Sequence, residues 1–136
     1  MKNIMIGCLA ICLALLCLGM GGIGGYPEGT VPETEIDIQA VVTDRAGVTT
    51  NITQFSMDGK IILKASHGRG VLTVPFQNVA TIKFGETLNN VINASVKLKS
   101  GEWMDMKVSG RARFYGATDF GAYQVRASDV AEIRIL

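Results

Sequence analysis

The chain has 136 residues, enough for one domain or two very small ones, and 48% of them are apolar. Its 13 bases and 12 acids leave a net charge of +1, so no global charge draws it to nucleic acid or to an anionic membrane. All three cysteines (Cys8, Cys12, Cys17) precede Leu18, so the remainder has no disulfide framework, thiol nucleophile or cysteine metal cluster.

The chain opens with one base, Lys2, followed by an uncharged apolar run from Ile4 to Leu18 and small residues from Gly19 to Gly25. That is the layout of a secretory signal, with Gly19/Gly21 or Gly22/Gly24 as the small residues before a cleavage point. Residues 1–25 are therefore expected to act as a signal peptide, which places the protein in the periplasm or outside the cell. An uncleaved anchor is the rival reading, because residues 3–23 give the roughly 20 apolar positions a membrane span needs. Lipidation fits less well, since Cys17 follows Leu16 where a small residue is expected. Residues 26–34 carry two prolines and no apolar period and are expected to be a linker.

Beyond the linker the apolar period becomes two, which predicts half-buried strands. Ile36, Ile38, Ala40 and Val42 alternate with Glu35, Asp37, Gln39 and Val41, and Asp44 to Gly47 forms a turn. Val48 to Met57 slips phase, which predicts a bulge. Asp58-Gly59 suits a type I′ hairpin turn, because both residues tolerate positive φ. Ile61 to Ala65, Val71 to Phe76 and Val79 to Phe84 complete a first set, with His67 to Gly70 as a loop and Gln77-Asn78 as a short break.

The same order returns after Asn93: Val96 and Leu98, a turn at Ser100-Gly101, then Met104, Met106 and Val108. A turn at Gly110 follows, then Ala112 and Phe114, a glycine loop to Gly121, Tyr123 and Val125, a break at Ser128-Asp129, and Val130 to Ile135. Gly70 to Phe84 aligns without a gap on Gly121 to Ile135, with five identities in fifteen positions. Gly47 corresponds to Gly101, but the spacing to the later glycine is three residues greater in the first copy. The chain thus carries an internal repeat of about five short strands per copy.

A polar pair interrupts the last two strands of each copy, where a single helical or 3-10 turn fits. The element Gly, alternating apolar residues, polar pair and Val-x-x-Ile resembles one found in uncharacterised exported bacterial proteins with repeated small β-barrel units. That resemblance implies an all-β fold of two tandem five-stranded SH3-like/Sm-like units packed together, over residues 35–88 and 89–136. The alternative is a single β-sandwich or larger barrel. A unit this small buries too little apolar surface to stand comfortably alone, so the copies are expected to pack closely. Met57, Met104, Met106, Trp103 and Phe114 are candidates for the seam.

Catalytic and metal chemistry finds little foothold. His67 is the only histidine, and its neighbour Ser66 points the other way on an extended chain. Asp105, Asp119 and Asp129 show no spacing of a glycosidase pair or a calcium loop, and no cofactor is implied. A hydrolase using these acids or His67 is the outside possibility.

The polar feature that stands out is a basic stripe in the second copy. Lys97 and Lys99 face away from Val96 and Leu98, while Arg111, Arg113 and Tyr115 face away from Ala112 and Phe114. If those strands are neighbours, four cations and an aromatic form one surface for an anionic polysaccharide or an acidic envelope protein. A solvated sheet face that discourages edge pairing is the plainer reading. The function expected is a non-enzymatic binding module of the envelope, with a self-associating structural subunit as alternative.

Overall fold

The structure, a computed structural model, describes residues 25–136. The expected signal segment, apart from Gly25, lies outside the described residues. Apart from two 3-10 turns, every regular element described is a strand. The first copy supplies β1 (Ala40–Asp44), β2 (Thr49–Met57), β3 (Ile62–His67), β4 (Gly70–Pro75), the 3-10 turn η1 (Phe76–Asn78) and β5 (Val79–Leu88). The second supplies β6 (Val91–Leu98), β7 (Trp103–Ser109), β8 (Arg113–Thr118), β9 (Gly121–Arg126), η2 (Ala127–Asp129) and β10 (Val130–Ile135).

Local chemistry explains the punctuation. Asp58 and Gly59 both take positive φ, 51° and 83°, as a tight turn after β2 requires. Each polar pair breaks its strand as a 3-10 turn, closed by a backbone bond from Val79 to Phe76 O or from Val130 to Ala127 O. Between the copies there is no linker. Asn89 and Asn90, at φ 53° and 61°, turn β5 straight into β6 as a hairpin.

All ten strands join one antiparallel sheet in the order β4-β3-β7-β6-β5-β10-β1-β2-β8-β9. Exchanging each strand for its counterpart in the other copy gives the same order reversed, so an approximate two-fold relation passes between β5 and β10. There Ile82 pairs with Ile133, its own counterpart in the repeat. The relation holds in register across the sheet. Val42 opposite Thr50 matches Val96 opposite Met104, and Leu63 opposite Val74 matches Phe114 opposite Val125. Even isolated bonds recur: Arg45 N–H to Asp129 O at 2.9 Å matches Lys99 N–H to Asn78 O at 2.8 Å.

The pairing does not follow the copies. One half of the sheet joins β6 and β7 to β3, β4 and β5; the other joins β1 and β2 to β8, β9 and β10. We call these the β5 half and the β10 half. Tandem units that each pair within their own copy are therefore not what this sheet contains. The Asn89-Asn90 turn gives the reason: it lays β6 along the edge of β5, so β1 pairs with β10 instead.

The sheet curls around one contiguous core. Alternate residues of every central strand point into it, among them Ile82, Phe84, Val96, Val108, Val42 and Ile133. Burying each large aliphatic side chain contributes roughly 1.5–3 kcal/mol. At the centre Phe55 packs on Phe76 and Phe114 with ring centroids 4.8 and 5.5 Å away, and Phe84 meets Phe114 at 5.9 Å. Phe55 and Phe114 belong to the β10 half and Phe76 and Phe84 to the β5 half, so neither half has a core of its own. Of the expected seam residues, Met57, Met106 and Phe114 are buried and Met104 is half-buried, but Trp103 faces solvent at 51% exposure.

The longer spacing in the first copy begins at the bulge within β2, and it delivers Phe55. Gln54 takes φ 50° in the β2 bulge, where its N–H donates to Asp37 Oδ1 at 2.6 Å, and Phe55 N–H donates to Ile38 O at 2.8 Å. The expected linker also lies partly on the fold. Pro32 is buried, and Tyr26 sets its ring edge-on to Tyr115 at 5.4 Å while its N–H donates to Tyr115 Oη at 3.3 Å. Gly59 lets Tyr26 in, since a Cβ there would lie 2.5 Å from the Tyr26 hydroxyl.

Candidate binding surface

The outer face of the sheet carries the polar half of each strand's alternation. On β5, β6 and β7 it presents Lys83, Lys97 and Trp103. Lys97 stands directly across from Trp103, and Lys83 lies one step diagonal to Lys97 on the neighbouring strand. Their ammonium groups sit 5.9 and 5.5 Å from the indole centroid. Each contact is worth about 0.5–1 kcal/mol at an exposed site, and both cations reach the ring from the β6 side of β7.

Further along the same face Ser95 Oγ donates to Asp105 Oδ1 at 3.0 Å, and Lys107 lies across from Asn93. A shallow groove of about 460 Å³ runs past Ser95, Asp105 and Lys107 to His67. His67 Nδ1 is 3.3 Å from the Asp105 backbone carbonyl, not from its carboxylate or from a serine hydroxyl. Ser95 and His67 are thus neighbours without the nucleophile–base bond that acyl transfer needs. Among the described residues no three His, Cys, Asp or Glu side chains gather as a metal site, and no helix is long and apolar enough to cross a membrane.

The basic stripe expected in the second copy is divided. Lys97 is on β6 and Lys99 in the turn after it, in the β5 half; Arg111 precedes β8 and Arg113 begins it, in the β10 half. Four strands (β5, β10, β1, β2) stand between β6 and β8 in the sheet, so the neighbour relation the stripe needed is absent. Tyr115 is fully buried beneath Tyr26 and offers no ligand surface. The alternation had placed it outward, and it is outward; residues 25–26 then cover it.

Two participants escaped the sequence reading. Trp103, a candidate for the seam, instead alternates with buried Met106 and Val108 and shares its parity with Asp105 and Lys107. That parity was the available signal. Lys83 belongs to the first copy, and only the β5–β6 hairpin brings it beside Lys97.

The other half provides a control on the same framework. The register places Thr43, Thr49 and Arg134 where the β5 half has Lys97, Trp103 and Lys83. Thr43 and Thr49 merely face each other, hydroxyl to hydroxyl, at 3.2 Å. The backbone therefore does not require a tryptophan and lysines at these places.

The model of a family described as an uncharacterised protein matches residues 34–136, a stretch that contains every strand, and the chain belongs to that family. No curated protein matches the chain.

Proposed function

We propose that the chain is an exported, non-enzymatic binding module of the cell envelope, and that the outer face of β5, β6 and β7 takes an anionic polysaccharide. The observation that carries this reading is the exposed Trp103 with Lys97 and Lys83 beside it, where the register-matched half keeps a cation, Arg134, for Lys83 but has Thr43 and Thr49 for Lys97 and Trp103. An indole plate stacks on the apolar face of a sugar ring, and the flanking ammonium groups meet carboxylates along the polymer. Ser95, Asp105 and Asn93 supply hydrogen-bonding groups for hydroxyls on the same surface. The signal-like segment in residues 1–25 supports delivery to the envelope. Within this reading each half corresponds to one small-barrel unit of the SH3-like/Sm-like kind, assembled from strands of both copies.

Affinity electrophoresis through a uronic-acid polysaccharide, with a neutral dextran gel as reference, tests the proposal. The protein should be retarded only by the acidic polymer, and the retardation should weaken with salt. Trp103→Ala should weaken binding about tenfold or more, as truncating an aromatic anchor does, and Lys83→Glu with Lys97→Glu should remove it. Equal migration of all three proteins in the acidic gel would sink the assignment.

A second reading, a self-associating structural subunit, rests on the sheet edges. β4 pairs with β3 alone and carries no charged residue to discourage a further strand. Sedimentation decides it: a strict monomer at high concentration ends that reading.

A further inference from the structure

The arginines left over from the divided stripe form a second feature. Arg113 of β8 and Arg126 of β9 are direct cross-strand partners at the open end of their hairpin, and Arg111 lies two residues before Arg113. Like charges placed directly opposite each other destabilise a strand pair. The three arginines line one open groove of about 570 Å³, together with Asn90, Ser128 and Asp58. Asp58 is the one carboxylate lining it and is already engaged. Its Oδ1 accepts the Arg113 N–H at 3.1 Å, and its own N–H donates to Arg113 O at 2.8 Å.

The two-fold relation again separates what the fold needs from what it does not. The corresponding positions in the β5 half are Lys60, Ile62 and Pro75, with Ile62 paired to Pro75 where Arg113 pairs with Arg126. A hairpin of the same register closes there without the opposed cations. Beside the arginines, an adjoining groove is lined by Arg113, Arg126, Gln124, Glu28 and Asp129. Glu28 and Asp129 bound this second groove with negative charge, which disfavours an extended polyanion and leaves the arginine side for a compact anion.

We infer that Arg111, Arg113 and Arg126 form a binding site for a phosphate monoester. Guanidinium groups match phosphate oxygens in paired hydrogen bonds, and a doubly charged group offsets the repulsion between the opposed arginines. The site is separate from the Trp103 face and does not depend on it.

Isothermal titration of the purified protein with glycerol phosphate, inorganic phosphate and glycerol tests this, alongside co-sedimentation with vesicles of phosphatidylcholine with and without phosphatidic acid. Saturable binding of glycerol phosphate and of inorganic phosphate, and none of glycerol, is expected. Arg126→Gln should reduce the affinity at least tenfold without lowering the unfolding midpoint, since it removes the opposed charge, and Arg111→Gln, at an exposed turn, should reduce the affinity likewise. Trp103→Ala should leave phosphate binding intact, which keeps this test apart from the polysaccharide one. Sedimentation with phosphatidic acid vesicles, lost in Arg126→Gln, would support the site and identify the source as a lipid headgroup; binding of glycerol phosphate alone would support it with a soluble or polymer-borne source. Phosphate binding undiminished in both arginine variants, or no saturable binding to any phosphate probe, overturns the inference.

Discussion

The β5 half and the β10 half share a backbone register yet differ in three places: the outer face, the rim and the core filling. Outside, Lys83, Lys97 and Trp103 stand against Arg134, Thr43 and Thr49. At the rim, Leu72, Leu98 and Met104 of the β5 half pack against the shared core, and their counterparts are Tyr123, Asp44 and Thr50. Burial first, and then the Asp44 carboxylate, raise the Tyr123 phenol above its ordinary 10.0, with a hydrogen bond from Thr50 opposing them. Inside, Leu63 and Phe76 of one half correspond to Phe114 and Ala127 of the other, a trade of volume between neighbouring positions. Register constrains the inward positions in kind, and packing lets them exchange size. Nothing of that sort constrains the outer face, so that is where the halves were free to acquire different chemistry.

The comparison can be broken most severely at Phe55, which lies in the stretch where the first copy is longer and joins both halves through Phe76 and Phe114. Phe55→Ala should cost about 3–5 kcal/mol in denaturant unfolding. Val108, the buried residue near the end of the counterpart strand β7, should cost only about 1–3 kcal/mol when truncated to alanine. Equal losses at the two sites would mean that the aromatic cluster is not what couples the halves.

The next largest effect concerns Gly116, whose counterpart is Ala65. A Cβ at Gly116 would lie 2.8 Å from Ile52 Cδ1 and 3.0 Å from the Thr53 carbonyl oxygen. Gly116→Ala should destabilise by about 1–3 kcal/mol through overpacking, whereas Ala65→Gly should cost about 0.5–1 kcal/mol through backbone entropy. A Gly116→Ala protein as stable as its parent would show that β2 and β8 can spread apart.

The smallest effect appears only in alkali. Because the folded state raises the Tyr123 pKa above 10.0, it holds that proton more tightly than the unfolded chain does. The associated stability is complete below pH 10 and is lost as pH rises through the folded value. Tyr123→Phe should flatten this alkaline decline in chemical unfolding measured from pH 9 upward, and the β5 half, with Leu72 at this position, has no equivalent titration. A decline that persists unchanged in Tyr123→Phe removes the tyrosine as its cause.

Much of the fold was legible in the residues because the signals are local. The bulge in β2, the Asp58-Gly59 turn and the 3-10 breaks at Gln77-Asn78 and Ser128-Asp129 all follow from φ preference or a change of period within a few residues. The repeat was visible for the same reason, since matched strands need matched alternation. The candidate site was legible only in part. Lys97 is among the residues of the expected stripe, Trp103 lies outside against the seam expectation but in keeping with its own parity, and Lys83 belongs to a strand whose neighbour lies across the repeat boundary.

The sequence by itself determined an all-β chain with two copies of one strand pattern, and which side of most strands is buried. Only the tertiary structure decided which strands pair. Two copies with the same alternation offer each other equivalent partners, so β1 and β2 suit the last three strands of either copy, and no local signal chooses between them. The choice falls to a connection two residues long. Asn89 and Asn90 reverse the chain so tightly that β6 must occupy the edge of β5, which sends β1 to β10 and merges both copies into a single sheet around a single core.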